Sequence, residues 1–440
     1  MDETFHIERP QLTADGTASF RYRLGDLSFV ERLEFGPVPA AALGTLALDK
    51  LLDLTALVLG TSYYKLRAPF VLSAPDLRLT EQERAFVIDV YENGLGEFYA
   101  RNGLRRFGRL TLQCRTDSRA MPRPVLSRRA LLPIGGGKDS LVSVALLEAA
   151  GIPFSPFSVN PRGPIVSSVD RIGRPPVYVQ RHLDPAMIRL GKEPGYYNGH
   201  VPSTAINSMI AAIAAVLFSY DRIVLSNERS ASEGNMVWDG REVNHQYSKS
   251  LAFEERIADM LAGATGGALG HFSLLRPYSE AKIARLFART TRFDDVFSSC
   301  NRNFRYDGHS GPLWCGECPK CHFVFLMLAP AMDKARLVGI FGADLLDRPA
   351  NEASFRELTG LAGQKPWECV GEILEAAASL WQLTRQAEWA GDAVVAALAP
   401  DLVAQYGPVR LEAALAELMA DAPQHHVPDE IAERVALHAT

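Results

Sequence analysis

The sequence predicts an α/β fold: a parallel sheet with helices on both faces, an α+β unit before it and a helical region after it. Three observations predict this. Between about residues 126 and 330, short apolar runs alternate with helix-length stretches, the pattern of strand–helix–strand units. One junction in that stretch reads strand, three glycines, helix, at "ALLPIGGGKDSLVSVALLEAAG". Beyond about residue 331 the chain is rich in Ala, Leu and Glu at helical spacing. A chain of 440 residues has room for these three units, 1–125, 126–330 and 331–440.

In the first unit, "FRYRLGDLSFVERLEF" alternates as strands do. "ALGTLALDKLLDLTALVLG" has helical apolar spacing and is expected to stop at Gly60. Pro69 limits any helix in "TSYYKLRAPFVL". In "LTEQERAFVIDVYENGLGEF", Thr80 with Glu83 three residues on is a capping-box signature. From Arg101 to Arg129 the chain carries nine arginines against one acid, Asp117. That segment reads either as a solvated connection or as a grip for a phosphate-bearing substrate.

In the second unit, "ALLPI" is a strand and the helix after the glycines closes at Gly151. "PFSPFSV" and "PPVYVQ" are further strands. "STAINSMIAAIAAVLFS" is a helix with Ser203 near its start, and "DRIVLS" is the strand after it. In the third unit, "VGEILEAAASLWQLTRQAEWAGDAVVAALAPDLVAQY" is helical by period and is expected to break at Pro400; "RLEAALAELMADA" is another helix.

Composition excludes several classes. With 47% hydrophobic and 22% charged residues the chain is an ordinary globular one, and a net charge of −5 gives no bulk case for nucleic acid. No basic start precedes an apolar stretch, so no signal peptide is expected. No run reaches the roughly 18 apolar residues of a membrane span. Of six cysteines, Cys114 and Cys369 stand alone, whereas Cys300, Cys315, Cys318 and Cys321 cluster. That is not a disulfide framework; it suggests a cytoplasmic protein with reduced thiols and one metal site. Nothing in the sequence fixes an oligomeric state.

The glycine loop is a natural phosphate site, because glycines let the backbone approach an anion and a helix start presents free N–H groups. It is not a Walker loop, since Asp139 follows Lys138, and it lacks the third glycine of a dinucleotide fingerprint. "GGGKDS" resembles the S-G-G-x-D-S loop of the PP-loop, or N-type, ATP pyrophosphatases, with Gly135 where serine is usual. The resemblance implies that Gly135, Gly136, Gly137, Lys138, Asp139 and Ser140 bind ATP, with Gly136, Gly137, Asp139 and Ser140 on the pyrophosphate and its Mg2+. It also implies attack on the α-phosphorus. The missing serine removes one hydroxyl from the cradle; backbone amides can still serve.

The spacing Cys315-x-x-Cys318-x-x-Cys321, with Cys300 ahead of it, suits one tetrahedral Zn2+. It resembles the zinc knuckle of the 7-cyano-7-deazaguanine synthases, which are PP-loop enzymes. The gap after Cys300 is longer here, which leaves His309 or His322 as alternative ligands. A catalytic thiol is the competing reading.

"NGHVPSTAINS" places His200 and Ser203 before a helix, and "LSNERSASEGN" puts Ser226, Asn227 and Glu228 at the carboxyl end of a strand, where open sheets bind ligands. "GREVNHQYSKSLAFE" brings His245 and Lys249 four apart, on one face if that stretch is helical. Each of these residues could equally serve as a cap or hydrogen-bond partner. Taken with "GTSYYK", "NGLGEF", "GGGKDS" and "CGECPKC", these stretches resemble the UDP-N-acetyl-α-D-muramoyl-L-alanyl-L-glutamate epimerases over most of residues 20–330. The resemblance implies a UDP-MurNAc-dipeptide substrate and adenylation of its terminal carboxylate by ATP. Proton removal and return at Cα and release of AMP would follow. Lys65, Tyr63, Tyr64, Glu228, His245 and Lys249 are then candidate bases, His245 and Lys249 first. A PP-loop ligase forming an amide or nitrile, and a tRNA-modifying adenylating enzyme, are the competing functions.

Overall fold

The structure, a computed structural model, describes residues 3–232, 234, 236–304, 311–363, 366, 368 and 370–439; His309 and Cys369 lie outside the described residues. Its strands are β1 (Thr4–Ile7), β2 (Gln11–Leu12), β3 (Thr17–Leu24), β4 (Leu27–Glu34), β5 (Val71–Leu79), β6 (Thr111–Thr116) and β7 (Ala130–Pro133). They continue as β8 (Phe154–Val159), β9 (Val177–His182), β10 (Arg222–Leu225), β11 (Met236–Trp238), β12 (Arg241–Val243) and β13 (Gly270–Ser273).

Eleven of these strands form a single mixed sheet in the order β13-β10-β7-β8-β9-β4-β3-β1-β5-β6, with β2 paired to β3; β11 and β12 form a separate hairpin. The expectation of a parallel sheet was too narrow. The block β13-β10-β7-β8-β9 is parallel throughout. At β9 the sheet turns antiparallel, where Arg32, Leu33 and Glu34 of β4 register with His182, Arg181 and Gln180. Through that pairing the N-terminal strands extend the same sheet.

Along β7, Leu131 enters one core while Ala130 and Leu132 enter the other, as the two-residue period of a strand requires. The first core packs the helices Leu46–Leu59 and Ser203–Phe218 against the sheet. Ser203–Phe218 is apolar nearly all round, which suits a helix covered on every side. The second core takes the glycine-loop helix Lys138–Ala149, the cysteine segment and the C-terminal helices.

The local signals fare unevenly. The capping box forms: Glu83 N–H donates to Thr80 Oγ1 at 3.2 Å and Thr80 N–H to Glu83 Oε2 at 2.8 Å. Gly151 closes its helix at φ +63°. The helix Leu46–Leu59 does end at Gly60, although the φ of −51° there is right-handed and a second short helix, Thr61–Tyr64, follows at once. Packing also excludes a side chain at that position, since a Cβ would sit 2.7 Å from Tyr91 Oη. Pro400 lies inside the continuous helix Ala393–Tyr406. Pro400 and Ala396, whose carbonyl loses its helix bond, are both exposed, so water can take that bond.

Candidate active site

The parallel block runs, in chain order, third-second-first-fourth-fifth, so its direction of growth reverses between β7 and β10. The carboxyl ends of two such strands part there, and ligands of open sheets bind in that gap. β7 ends in the glycine loop and β10 ends in Ser226, Asn227 and Glu228. The two ends are tied by Ser143 and Ser226, whose hydroxyls are 2.8 Å apart.

Gly136 has φ +79°, and a Cβ on it would meet the backbone of Pro164 and Ile165 at 3.1 Å. Nothing lies within 4 Å of the Cβ position at Gly135, which leaves an open cradle. No side chain caps the helix that begins at Lys138, so its first N–H groups face that cradle uncapped. Lys138 does not reach into it. Its ammonium is buried between the carboxylates of Asp139 and Glu280; burial pushes its pKa down, but the two acids outweigh that and hold it up. Burial pushes the Glu280 carboxyl up to about 7 against the pull of Lys138. Asp139 is half-buried; burial raises it, yet Lys138, Lys320 and Lys249 together hold it below the usual range.

The charge of Lys249 is thus felt at the glycine loop. Lys249 lies in a short 3-10 turn, Tyr247–Lys249, and His245 lies before that turn, so the two do not share a helix face. The cause is local: Asn244 Oδ1 accepts from Gln246 N–H at 2.6 Å and Ser250 caps the next helix through Phe253 N–H at 3.3 Å. Arg276, 2% exposed, fixes this segment against the end of β10. It donates to the carbonyls of Glu228 at 2.6 Å and Lys249 at 2.5 Å, and to Glu254 at 2.8 Å.

His245 Nδ1 bonds Glu97 Oε2, and the His200 ring lies 4.8 Å away, centroid to centroid. Burial, then His245, lowers His200 to about 4; Lys249 and Lys65 act in the same direction. Lys65 donates to Asn198 Oδ1 at 2.8 Å and to the Gly199 carbonyl at 3.2 Å, just before His200. Burial, followed by Arg181, brings Lys65 down to about 8. Glycine loop, Lys249, His245, His200 and Lys65 are thus linked neighbours. Glu228 is buried beside them, accepting from Ser230 at 3.5 Å and adding its charge to that on Glu280. Tyr63 and Tyr64 are fully buried in an aromatic cluster, and burial holds both phenols above their ordinary value, the opposite of what a phenolate base needs.

The four sulfurs of Cys300, Cys315, Cys318 and Cys321 lie within 4.8 Å of one another, with Cys318–Cys321 at 3.4 Å and Cys315–Cys321 at 3.7 Å. A tetrahedron of zinc–sulfur bonds of about 2.3 Å has edges of about 3.8 Å, so the donor set fits. His322 points elsewhere, to Ser354 at 2.7 Å and the Gly316 carbonyl at 3.1 Å. The cysteine segment also touches the loop: Ser298 N–H donates to the Gly136 carbonyl at 2.8 Å. Of the arginine-rich segment, Arg101 enters the site, its Nε 2.6 Å from Glu97 Oε1. Arg128 and Arg129 precede the amino end of β7, and Arg106, Arg119 and Arg129 bond the Ala68 carbonyl, Asp117 and the Ser219 carbonyl.

Sequence reasoning missed Glu97, Glu280, Arg276 and Lys320. Lys320 had a signal, its place between Cys318 and Cys321; Glu97 sat unremarked in "NGLGEF". Arg276 and Glu280 carry none that a local pattern could show.

Two family models match the chain, the MurL N-terminal domain over residues 1–274 and the MurL C-terminal domain over residues 296–410. A UDP-N-acetyl-alpha-D-muramoyl-L-alanyl-L-glutamate epimerase of Xanthomonas oryzae pv. oryzae is 42% identical, over 98% of this chain and 96% of its own. Proteins of the same description from Micromonospora sp. and Salinispora tropica are each 42% identical, over 96% and 87% of this chain and 95% and 85% of theirs.

Proposed function

The chain belongs to the MurL family of UDP-N-acetyl-alpha-D-muramoyl-L-alanyl-L-glutamate epimerases, and from that membership we propose its reaction and the residues that perform it. It inverts the terminal L-glutamate of UDP-MurNAc-L-Ala-L-Glu, a step of peptidoglycan synthesis and an isomerase activity.

The α-proton of a free C-terminal glutamate is protected by its own carboxylate, since its removal would build a dianion. A carboxylate oxygen attacks the α-phosphorus of ATP, the bond to the β-phosphoryl oxygen breaks, and pyrophosphate leaves. The acyl adenylate is no longer anionic at that carboxyl, so a base can take the α-proton. A proton returns to the opposite face, and water releases AMP. The net change consumes ATP and water and yields AMP, pyrophosphate and the D-epimer.

We assign the parallel block to the PP-loop type, with Gly135, Gly136, Gly137 and the N–H groups of Lys138, Asp139 and Ser140 around the outer phosphates. The open cradle and the uncapped helix start support this. Lys138 holds Asp139 in place from behind. Magnesium bound there would neutralise the departing pyrophosphate, and half-buried Asp139 is the carboxylate to hold it. A zinc ion held by Cys300, Cys315, Cys318 and Cys321 would be a structural clasp that keeps Ser298 on the loop. His245 serves as one base. Lys65 and Lys249 offer the second, and Glu228 shapes the charge beneath them. Residues 1–125 contribute Lys65 and Glu97 and so share the substrate site with 126–330, while 331–440 covers the second core. No described helix is long and apolar enough to cross a membrane. A nucleotide-carried substrate and the use of ATP support a cytoplasmic reaction.

The observation that carries the reading is that Arg276 ties the backbone of Lys249 to that of Glu228 at the end of β10, which Ser226 and Ser143 join to the glycine-loop helix. Incubation with the dipeptide substrate, ATP and Mg2+ in deuterated water tests it. Deuterium should enter Cα as AMP and pyrophosphate appear, with no need for ammonia. ATP consumption with the α-position still protonated would sink it.

A further inference from the structure

We infer that Glu97 is a positioning residue that holds His245 in the tautomer able to take the substrate's α-proton. This rests on the epimerase reading above.

Glu97 lies in the short helix Gly96–Arg101, and His245 follows the β11–β12 hairpin. The two meet because Gly96 has no side chain: a Cβ there would stand 3.2 Å from Val243 Cγ1, at the end of that hairpin. The Glu97 side chain is only 7% exposed and is occupied at both oxygens. Oε1 accepts from Arg101 Nε at 2.6 Å, and Oε2 faces His245 Nδ1. A carboxylate removed this far from water is costly unless its partners are fixed, so both geometries are specified. With Nδ1–H bonded to Glu97, proton transfer at His245 belongs to Nε2. As Nε2 takes the proton, the carboxylate stabilises the imidazolium without itself accepting it.

The other charged groups around His245 fit this role. His200, from the loop before helix Ser203–Phe218, stands 3.8 Å from the same Glu97 oxygen and stays neutral near pH 7, so it does not compete for the proton. Lys249 lies on the His245 segment itself, Arg101 is held by Glu97, and the charge of His245 is felt at Glu368 in the C-terminal region. The donor atoms of Glu97, His200 and His245 also lie within 4.8 Å of one another, the donor set of a divalent cation. The Arg101 guanidinium bonded to Glu97 and the positive charge of Lys249 felt at His200 favour a proton-handling site over a metal one.

The test compares wild type, Glu97→Gln and Glu97→Asp by two rates, deuterium entry at Cα and pyrophosphate release. Glu97→Gln should lower the ratio of the first to the second by about 100-fold or more, as loss of an orienting carboxylate does elsewhere. That loss should fall on kcat rather than on KM for the dipeptide, and Glu97→Asp should recover part of the ratio. A merely structural role would lower both rates together and leave the ratio intact, which overturns the inference. So does a second divalent ion per chain, beyond that at the cysteines, that disappears in His200→Ala. Wild-type protein that releases pyrophosphate without exchanging the α-proton would sink the epimerase reading itself, and the role of Glu97 with it.

Discussion

Residue by residue, the glycine loop makes opposite demands at neighbouring positions. Gly136 combines a left-handed φ with backbone 3.1 Å from where a Cβ would sit. Gly136→Ala should therefore lower the melting temperature and pyrophosphate release together, at a cost above the ~1 kcal/mol of a plain glycine-to-alanine mismatch. Gly135 faces open space, and serine is usual there in PP-loop enzymes. Gly135→Ser should lower KM for ATP without moving the melting temperature; a destabilised protein would contradict the open cradle. Lys65 gives a pH signature. With His245 taking the α-proton, Lys65 would return one to the other face and must carry it, and burial sets its pKa at about 8. The rate of inversion should then fall as pH rises through about 8. Lys65→Arg, which does not give up its proton, should be inactive in inversion. A profile of the Lys65→Gln variant that kept the same limb would remove Lys65 from the chemistry.

Among elements, the cysteine segment offers four thiols in the arrangement of a metal site. Cys318 begins the helix Pro319–Leu328 and Cys321 lies in its first turn, while Cys300 directly follows the serines at the glycine loop. Cys318→Ser should abolish the ~1 zinc per chain that a four-thiolate site holds. It should also lower the melting temperature and, through Ser298, weaken pyrophosphate release. Metal analysis with a thermal melt checks this; a zinc-free variant with wild-type stability and no activity would favour a catalytic thiol. Element boundaries show where local signals suffice. Thr80 and Glu83 write their cap in four residues, and the structure forms it. Gly60 ends its helix as its residue type suggests, at a place where a Cβ would also meet Tyr91. Pro400 carries the residue type of a helix break, yet it sits inside a continuous helix where water replaces the lost bond.

At the scale of the whole molecule, the two cores are joined across the sheet and store charge within them. Glu375 is 2% exposed, accepts from Ala281 N–H at 2.9 Å, and is pushed up to about 8 chiefly by burial and then by Glu280. A carboxyl raised on folding lends stability below its ordinary pKa of roughly 4.5, and that contribution is lost as pH rises through the folded value near 8. Glu375→Gln should therefore melt higher than wild type at pH 9, with the gain shrinking toward pH 5. A pH-independent difference would contradict the buried acid. The sequence by itself determined the strand–loop–helix around the glycines, the cysteine spacing, the order of strands and helices in the α/β unit, and the family. Each is a short-range pattern, set by periodicity, backbone freedom or ligand spacing within a few residues. Only the tertiary structure decided that β4 pairs antiparallel with β9, fusing the first unit into the second's sheet. Only it brought Glu97 to His245 across 148 residues and turned Lys138 away from the cradle toward Glu280. Those outcomes depend on which surfaces are buried together and which charges lose water there, and no local spacing in the chain carries that information.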